Sequence, residues 1–196
     1  MKKKEKFIVR ALKGIGYSVL SEILCAVLVM SLIVFVRKIF VLKVVLAVCT
    51  LIITLGLYFN WAYKAARLDR DMVKFHGMEY DRYMPLKMAL VGPIISYISI
   101  IVLFLSYIGV IPDIFNFYLL FNMFVLPAVD AFTDGRTLEV LTVPGFLGIF
   151  ALVLTQPAAI AASYIMVYKD VDIVKKVFYK KRKAFCCNER IKRCNL

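Results

Sequence analysis

The sequence predicts an all-α integral membrane protein, a bundle of four transmembrane helices plus one interfacial or re-entrant helix. Three observations lead there. The 196 residues are 62% hydrophobic with a mean hydropathy of +0.82, more apolar than a soluble domain with one buried face per element. Four stretches, 17–36, 41–63, 88–111 and 146–168, are apolar all round, and each matches the about 20 residues that carry a helix across a bilayer. Nearly all basic residues lie outside those stretches. A backbone in lipid must satisfy its own hydrogen bonds, so runs of this length read as helices. Residues 1–168 form a single polytopic domain, and 169–196 a basic tail.

The net charge of +13 is placed for a membrane surface, not for nucleic acid. The N-terminus (Lys2, Lys3, Lys4, Lys6, Arg10, Lys13), the loop 64–87 and the tail hold 22 of the 26 Lys and Arg residues. With four spans these regions share a side, and the positive-inside rule makes that side cytoplasmic, with both termini on it. The opposite segment, 112–145, sets Arg136 alone against Asp113, Asp130, Asp134 and Glu139. The expected location is the plasma membrane.

Taken in order, residues 5–16 mix apolar and basic positions and are expected on the inner surface. The first span reads as an uncleaved signal anchor, being too long for a signal peptide and lacking a small-x-small site. Arg37, Lys38 and Lys43 fall at the outer turn, where long basic side chains reach headgroups. Trp61 and Tyr63 close the second span as an interfacial aromatic belt. Loop 64–87 starts as a helical extension of that span, is interrupted by Gly77, and turns at Pro85 into the third span. Segment 114–132 is apolar enough for a fifth span, but counting it so splits the basic residues 13 to 13. It is therefore expected at the outer interface or as a re-entrant element, returning through Pro127, Asp130, Asp134 and Gly135. Five spans, or six with two helices in 137–168, are the alternatives.

Glu22 is the one acid well inside a span, and an intramembrane carboxylate costs a few kcal/mol (about 2–4) unless paired or hydrated. With Gln156, Asn116 and Asn122 it makes a possible solute or proton site; the plainer reading pairs it with headgroups or Lys64. Gln156-Pro157 places a freed carbonyl at mid-span, with Gly92-Pro93 as the other break. Ala158 with Ala162 and Ala159 with Ser163 are small pairs four apart that favour close helix packing.

Loop residues Asp69, Asp71, His76, Glu79 and Asp81 are interleaved with Arg67, Arg70, Lys74 and Arg82, which reads as a solvated, salt-bridged loop. One histidine excludes a multi-histidine metal site within one chain. Asp134-Gly135-Arg136 starts like the membrane CDP-alcohol phosphotransferase motif, but Thr137-Leu138-Glu139-Val140 follows and the resemblance ends there. Cys25 and Cys49 are small apolar residues in spans; Cys186, Cys187 and Cys194 read as free thiols in the tail. Lys175, Lys176, Lys180, Lys181, Arg182 and Lys183 belong to a basic amphipathic segment suited to anionic inner-leaflet lipid.

No hydrolase, metalloprotease, redox or phosphate-loop motif is present. The expectation is a non-catalytic multi-pass protein without a cofactor, an accessory or scaffold subunit with lipid and a membrane protein as partners. The alternative is a solute-binding or transport subunit with a polar site between helices.

Overall fold

The computed structural model describes residues 7–36, 39–77, 79, 81–132 and 141–168. The described residues form seven helices: α1 (Phe7–Val36), α2 (Phe40–His76), α3 (Met84–Val91), α4 (Ile94–Tyr107), α5 (Phe115–Phe121), α6 (Leu126–Phe132) and α7 (Val143–Tyr168). Three of them, α1, α2 and α7, are long and apolar enough to cross a membrane. A fourth crossing exists if α3 and α4, bent by 56° at their junction, count as one. All-helical among its described residues, with three to four long apolar candidate spans, the chain is consistent with a helical membrane protein.

α1 is 30 residues long, about 45 Å at 1.5 Å per residue. It runs from Phe7, so residues 7–16, expected on the inner surface, are the first turns of one continuous helix with the first span. Nothing in 7–16 breaks a helix, since neither Gly14 nor Gly16 has the positive φ of a cap. α2 is longer still, and its last turns are the helical extension expected past Tyr63. It ends at Gly77, whose φ of 63° suits a residue without Cβ and whose N–H bonds back to the Met72 carbonyl.

Pro85 stands in the first turn of α3, where its missing N–H is of no consequence. Gly92-Pro93 then divides the expected third span into α3 and α4. Pro93 has no N–H for the Ala89 carbonyl four residues back, and the Tyr97 hydroxyl donates to that carbonyl at 3.1 Å. α4 ends at Tyr107, short of the expected 111, because Gly109 turns the chain at φ 77°. α7 runs unbroken through Pro157.

α2 is the hub of the packing: α1 lies antiparallel against one side of it, α7 parallel against another, and α6 against its first turns. The antiparallel register of α1 and α2 is fixed by Ser21 Oγ donating to Thr54 Oγ1 at 2.9 Å and Cys25 Sγ to the Thr50 carbonyl at 3.6 Å. α5 and α6 form a hairpin that enters and leaves at one end of the bundle. It starts beside α4, where Ser106 Oγ donates to the Pro112 carbonyl at 2.8 Å. It returns along α2, since Phe124 meets Thr50 at the tip and Asp130 meets Lys43 nearer the start of α2. The reversal occurs at Asn122–Val125, before Pro127, which stands in the first turn of α6; Asp134 and Gly135 lie outside the described residues.

Trp61 corrects another expectation. It is 4% exposed, packed in the interior instead of standing in an interfacial belt. Its ring sits between α1 and the α3–α4 junction, so a Cβ on Gly14 would come within 2.6 Å of the ring and one on Gly92 within 2.9 Å. Gly92 also abuts Ile160 of α7. Two glycines thus let three elements close on one indole. Tyr63 does stay partly exposed, stacked on Phe59 with the Arg67 guanidinium 5.7 Å above its ring.

Gly14→Ala should lower the thermal midpoint in detergent by an amount equivalent to about 1–3 kcal/mol, the usual cost of overpacking. That exceeds the at most about 1 kcal/mol gained from helix propensity. Gly56→Ala, which meets nothing within 4 Å, should be neutral or mildly stabilising. Equal midpoints for the two variants would refute the packing assigned to Trp61.

Candidate functional site

The buried apolar residues divide into two clusters stacked along the bundle. One gathers Cys25, Val29, Ile100, Leu103, Ile149 and Val153 around the hairpin tip. The other gathers Tyr58, Trp61, Met88, Ala89, Ile160 and Tyr164. Between them, every long helix changes to buried polar residues: Ser18 and Ser21 on α1, Thr54 on α2, Ser96 on α4 and Gln156 on α7. Glu22, partly buried, belongs to the same interval of α1. A polar layer therefore crosses the middle of the bundle.

Register explains the layer. Gly14, Trp61, Gly92 and Ile160 meet at one level. One turn further along α1, α2 and α7 come Ser18, Tyr58 and Gln156, and four residues past the Gly92 junction, in the first turn of α4, comes Ser96. Tyr58 and Ser18 are indeed hydrogen-bonded through their side chains, and Tyr97 of α4 lies close to Tyr58. Each of the four is at most 1% exposed.

Glu22 stands near the middle of α1, and among the described residues its partners are backbone amides, not Lys64, which is exposed. Its carboxylate accepts the Met123 N–H at 2.7 Å, and the Phe124 amide is a second backbone partner. These amides belong to the reversal between α5 and α6, where no helical carbonyl is available to them. Thr50 Oγ1 donates to the Phe124 carbonyl at 3.1 Å, sharing its proton with the Ala47 carbonyl at 3.0 Å. Lys43 reaches the Asp130 carbonyl at 2.9 Å, near the C-terminal end of α6. Lys43 was expected to reach headgroups; the α6 carbonyl offers it a nearer partner, favoured by the dipole of that helix.

The other residues singled out from sequence are placed as follows. Asn122 is fully buried at the tip, its Nδ2 donating to the Tyr118 carbonyl at 3.1 Å while Oδ1 has no partner. Gln156 is fully buried with both Oε1 and Nε2 unpartnered. Asn116 is exposed, on the other side of α5 from the buried Phe115, Tyr118 and Leu119, and does not join the layer. Of the small residues on α7, Ser163 is buried, Ala159 and Ala162 are partly so, and Ala158 is exposed. Lys175, Lys176, Lys180, Lys181, Arg182 and Lys183 lie outside the described residues, as do Arg37, Lys38 and the tail cysteines.

Ser18, Ser21, Thr54, Tyr58 and Ser96 escaped the sequence reading, although a signal existed. Gly14, Ser18, Ser21 and Cys25 recur at three to four residues, as do Thr50, Thr54 and Tyr58, so each set shares one helix face. A second omission is Arg10, counted from sequence among the solvated cations. It is 2% exposed, and its Nη1 pairs with Asp69 Oδ2 at 2.6 Å, joining the start of α1 to the far part of α2. Tyr164 of α7 stands beside that pair. Other pairs of the loop lie nearer the surface, among them Lys87 with Asp81 at 2.8 Å and Arg70 with Asp71 at 3.9 Å. Among the described residues no group of His, Cys, Asp and Glu is disposed to hold a metal ion.

Comparison with protein-family models, curated proteins and solved structures finds no match to this chain.

Removing one member of a buried ion pair strands the other charge, typically at about 3–5 kcal/mol. Arg10→Met or Asp69→Leu alone should destabilise the protein by roughly that amount. The double variant should recover more than half of it, because the two apolar side chains then face each other. Thermal unfolding of the four proteins in detergent measures the cycle, and strictly additive losses would contradict a direct pair.

Proposed function

We propose that this protein binds a solute at the mid-depth polar layer and moves it across the membrane, alone or with an energising partner. On this reading it carries out no catalysis. The observation that supports it is the meeting of Glu22 with the α5–α6 reversal. Re-entrant backbone in a bilayer is tolerated only where protein or a watery cavity satisfies it, and solute pathways are where such breaks and buried acids concentrate. Gln156, buried and unpartnered beside Pro157 inside the continuous α7, adds a second polar group at comparable depth.

The proposed topology has four crossings, α1, α2, α3–α4 and α7, with α5–α6 re-entrant. The ends of α1, α2 and α3 that carry Arg10, Lys64, Arg67, Arg70, Lys74 and Lys87 then share one side, taken as the cytoplasm of a plasma-membrane protein. Basic segments there would contact anionic lipid.

A scaffold or accessory subunit is the second reading, and one observation favours it. Glu22 is already bonded to backbone amides, as a purely structural clasp would be. Proteoliposomes separate the two. Transport predicts solute-dependent swelling or uptake across a panel of small solutes, reduced at least tenfold by Glu22→Gln and by Gln156→Leu with unchanged chromatographic behaviour. A clasp predicts no flux in the wild type and only a loss of thermal stability in Glu22→Gln.

A further inference from the structure

The two apolar clusters enclose a polar layer whose chemistry is one-sided. Ser18, Tyr58, Ser96 and the Gln156 carbonyl offer neutral oxygens, and Glu22, one turn along α1 from Ser18, offers the only carboxylate at that depth among the described residues. Hard oxygen donors of this kind suit alkali cations and protonated amines. Beneath the layer lies the Trp61 ring, and Tyr58 stands within it, so aromatic faces are also at hand for a cation. Gln156 is fully buried with its amide oxygen and nitrogen both unpartnered, a costly arrangement in a low-dielectric interior unless a ligand completes it.

Resting on the transport reading above, we propose that the solute bound between Ser18, Tyr58, Ser96, Gln156 and Glu22 is a monovalent cation, an alkali ion or a small primary ammonium. Charge balance sets the valence. One carboxylate neutralises one positive charge; a divalent ion would leave a net charge uncompensated at low dielectric, and an anion would meet Glu22 with like sign. The hairpin reversal at Met123 closes the layer from one end and Trp61 from the other. The arrangement holds a small dehydrated ion or an ammonium head and excludes bulky solutes.

The test is thermal unfolding of the purified full chain in detergent, titrated separately with sodium, potassium, methylammonium and magnesium chlorides at constant ionic strength. N-methyl-D-glucamine serves as the bulky replacement cation. The wild type should gain several degrees, saturably, with at least one of the first three and none with magnesium. Glu22→Gln should abolish the gain, and Gln156→Leu and Ser18→Ala should each raise the half-saturating concentration at least fivefold. If Glu22→Gln fails to fold, Gln156→Leu and Ser18→Ala carry the test. No shift with any monovalent cation, a shift with magnesium, a shift produced by acid alone, or one that all the variants retain would overturn the proposal. Flux of a neutral or anionic solute in proteoliposomes without cation binding would overturn this assignment while leaving transport standing. Cation binding without flux would uphold the site and overturn transport.

Discussion

A carboxylate on a lipid-embedded helix and a backbone reversal inside a bundle are each unfavourable alone, and in this protein each compensates the other. At the centre of a bilayer an acidic side chain costs about 2–4 kcal/mol, and each unsatisfied backbone group costs several. Glu22 accepts the Met123 amide, with Phe124 as a second backbone partner, while Thr50 supplies a donor for the Phe124 carbonyl. The α5–α6 hairpin can therefore reverse inside the molecule. One turn along α1 from Glu22, the buried Ser18 is bonded to Tyr58 of α2.

The rest of the architecture holds that level in place. Lys43 secures the outgoing arm of the hairpin at the Asp130 carbonyl, and Arg10 with Asp69 ties α1 to α2 at the opposite end. Between these, Gly14 and Gly92 bring three elements onto the Trp61 ring, which sets the register of α1, α2, the α3–α4 junction and α7. In a membrane, helices gain little from hydrophobic exclusion, so close packing and buried polar bonds carry this specificity. The broken third helix fits the same logic, because the Tyr97 hydroxyl takes up the Ala89 carbonyl that Pro93 leaves without a donor.

Much of the helical content was legible because it rests on one-dimensional quantities. The apolar runs marked α1, α2 and α7, Gly77 marked the end of α2, and Gly92-Pro93 marked the break between α3 and α4. Arg10 was counted with the other basic residues of the N-terminus, whereas its side chain turns inward to Asp69, 59 positions away. Trp61 was assigned to an interface on residue type alone; the two glycines that admit it to the interior belong to other helices. Glu22, Asn122 and Gln156 stood out as polar residues in apolar surroundings, but the Ser and Thr residues of the layer did not, since single hydroxyls are common in spans and bond to their own helix.

Sequence alone marked the helices long and apolar enough to cross a membrane, because hydropathy over about 20 residues is a sum that needs no knowledge of neighbours. It also marked two places where helices stop, Gly77 through its missing Cβ and Gly92-Pro93 through the missing N–H of proline, while α4 ended earlier than expected and α7 continued through Pro157. Only the tertiary structure decided which side chains face one another. Whether Glu22 meets a lysine, a headgroup or the backbone of residue 123 depends on the rotation and register of packed helices, set by contacts between residues far apart in the chain.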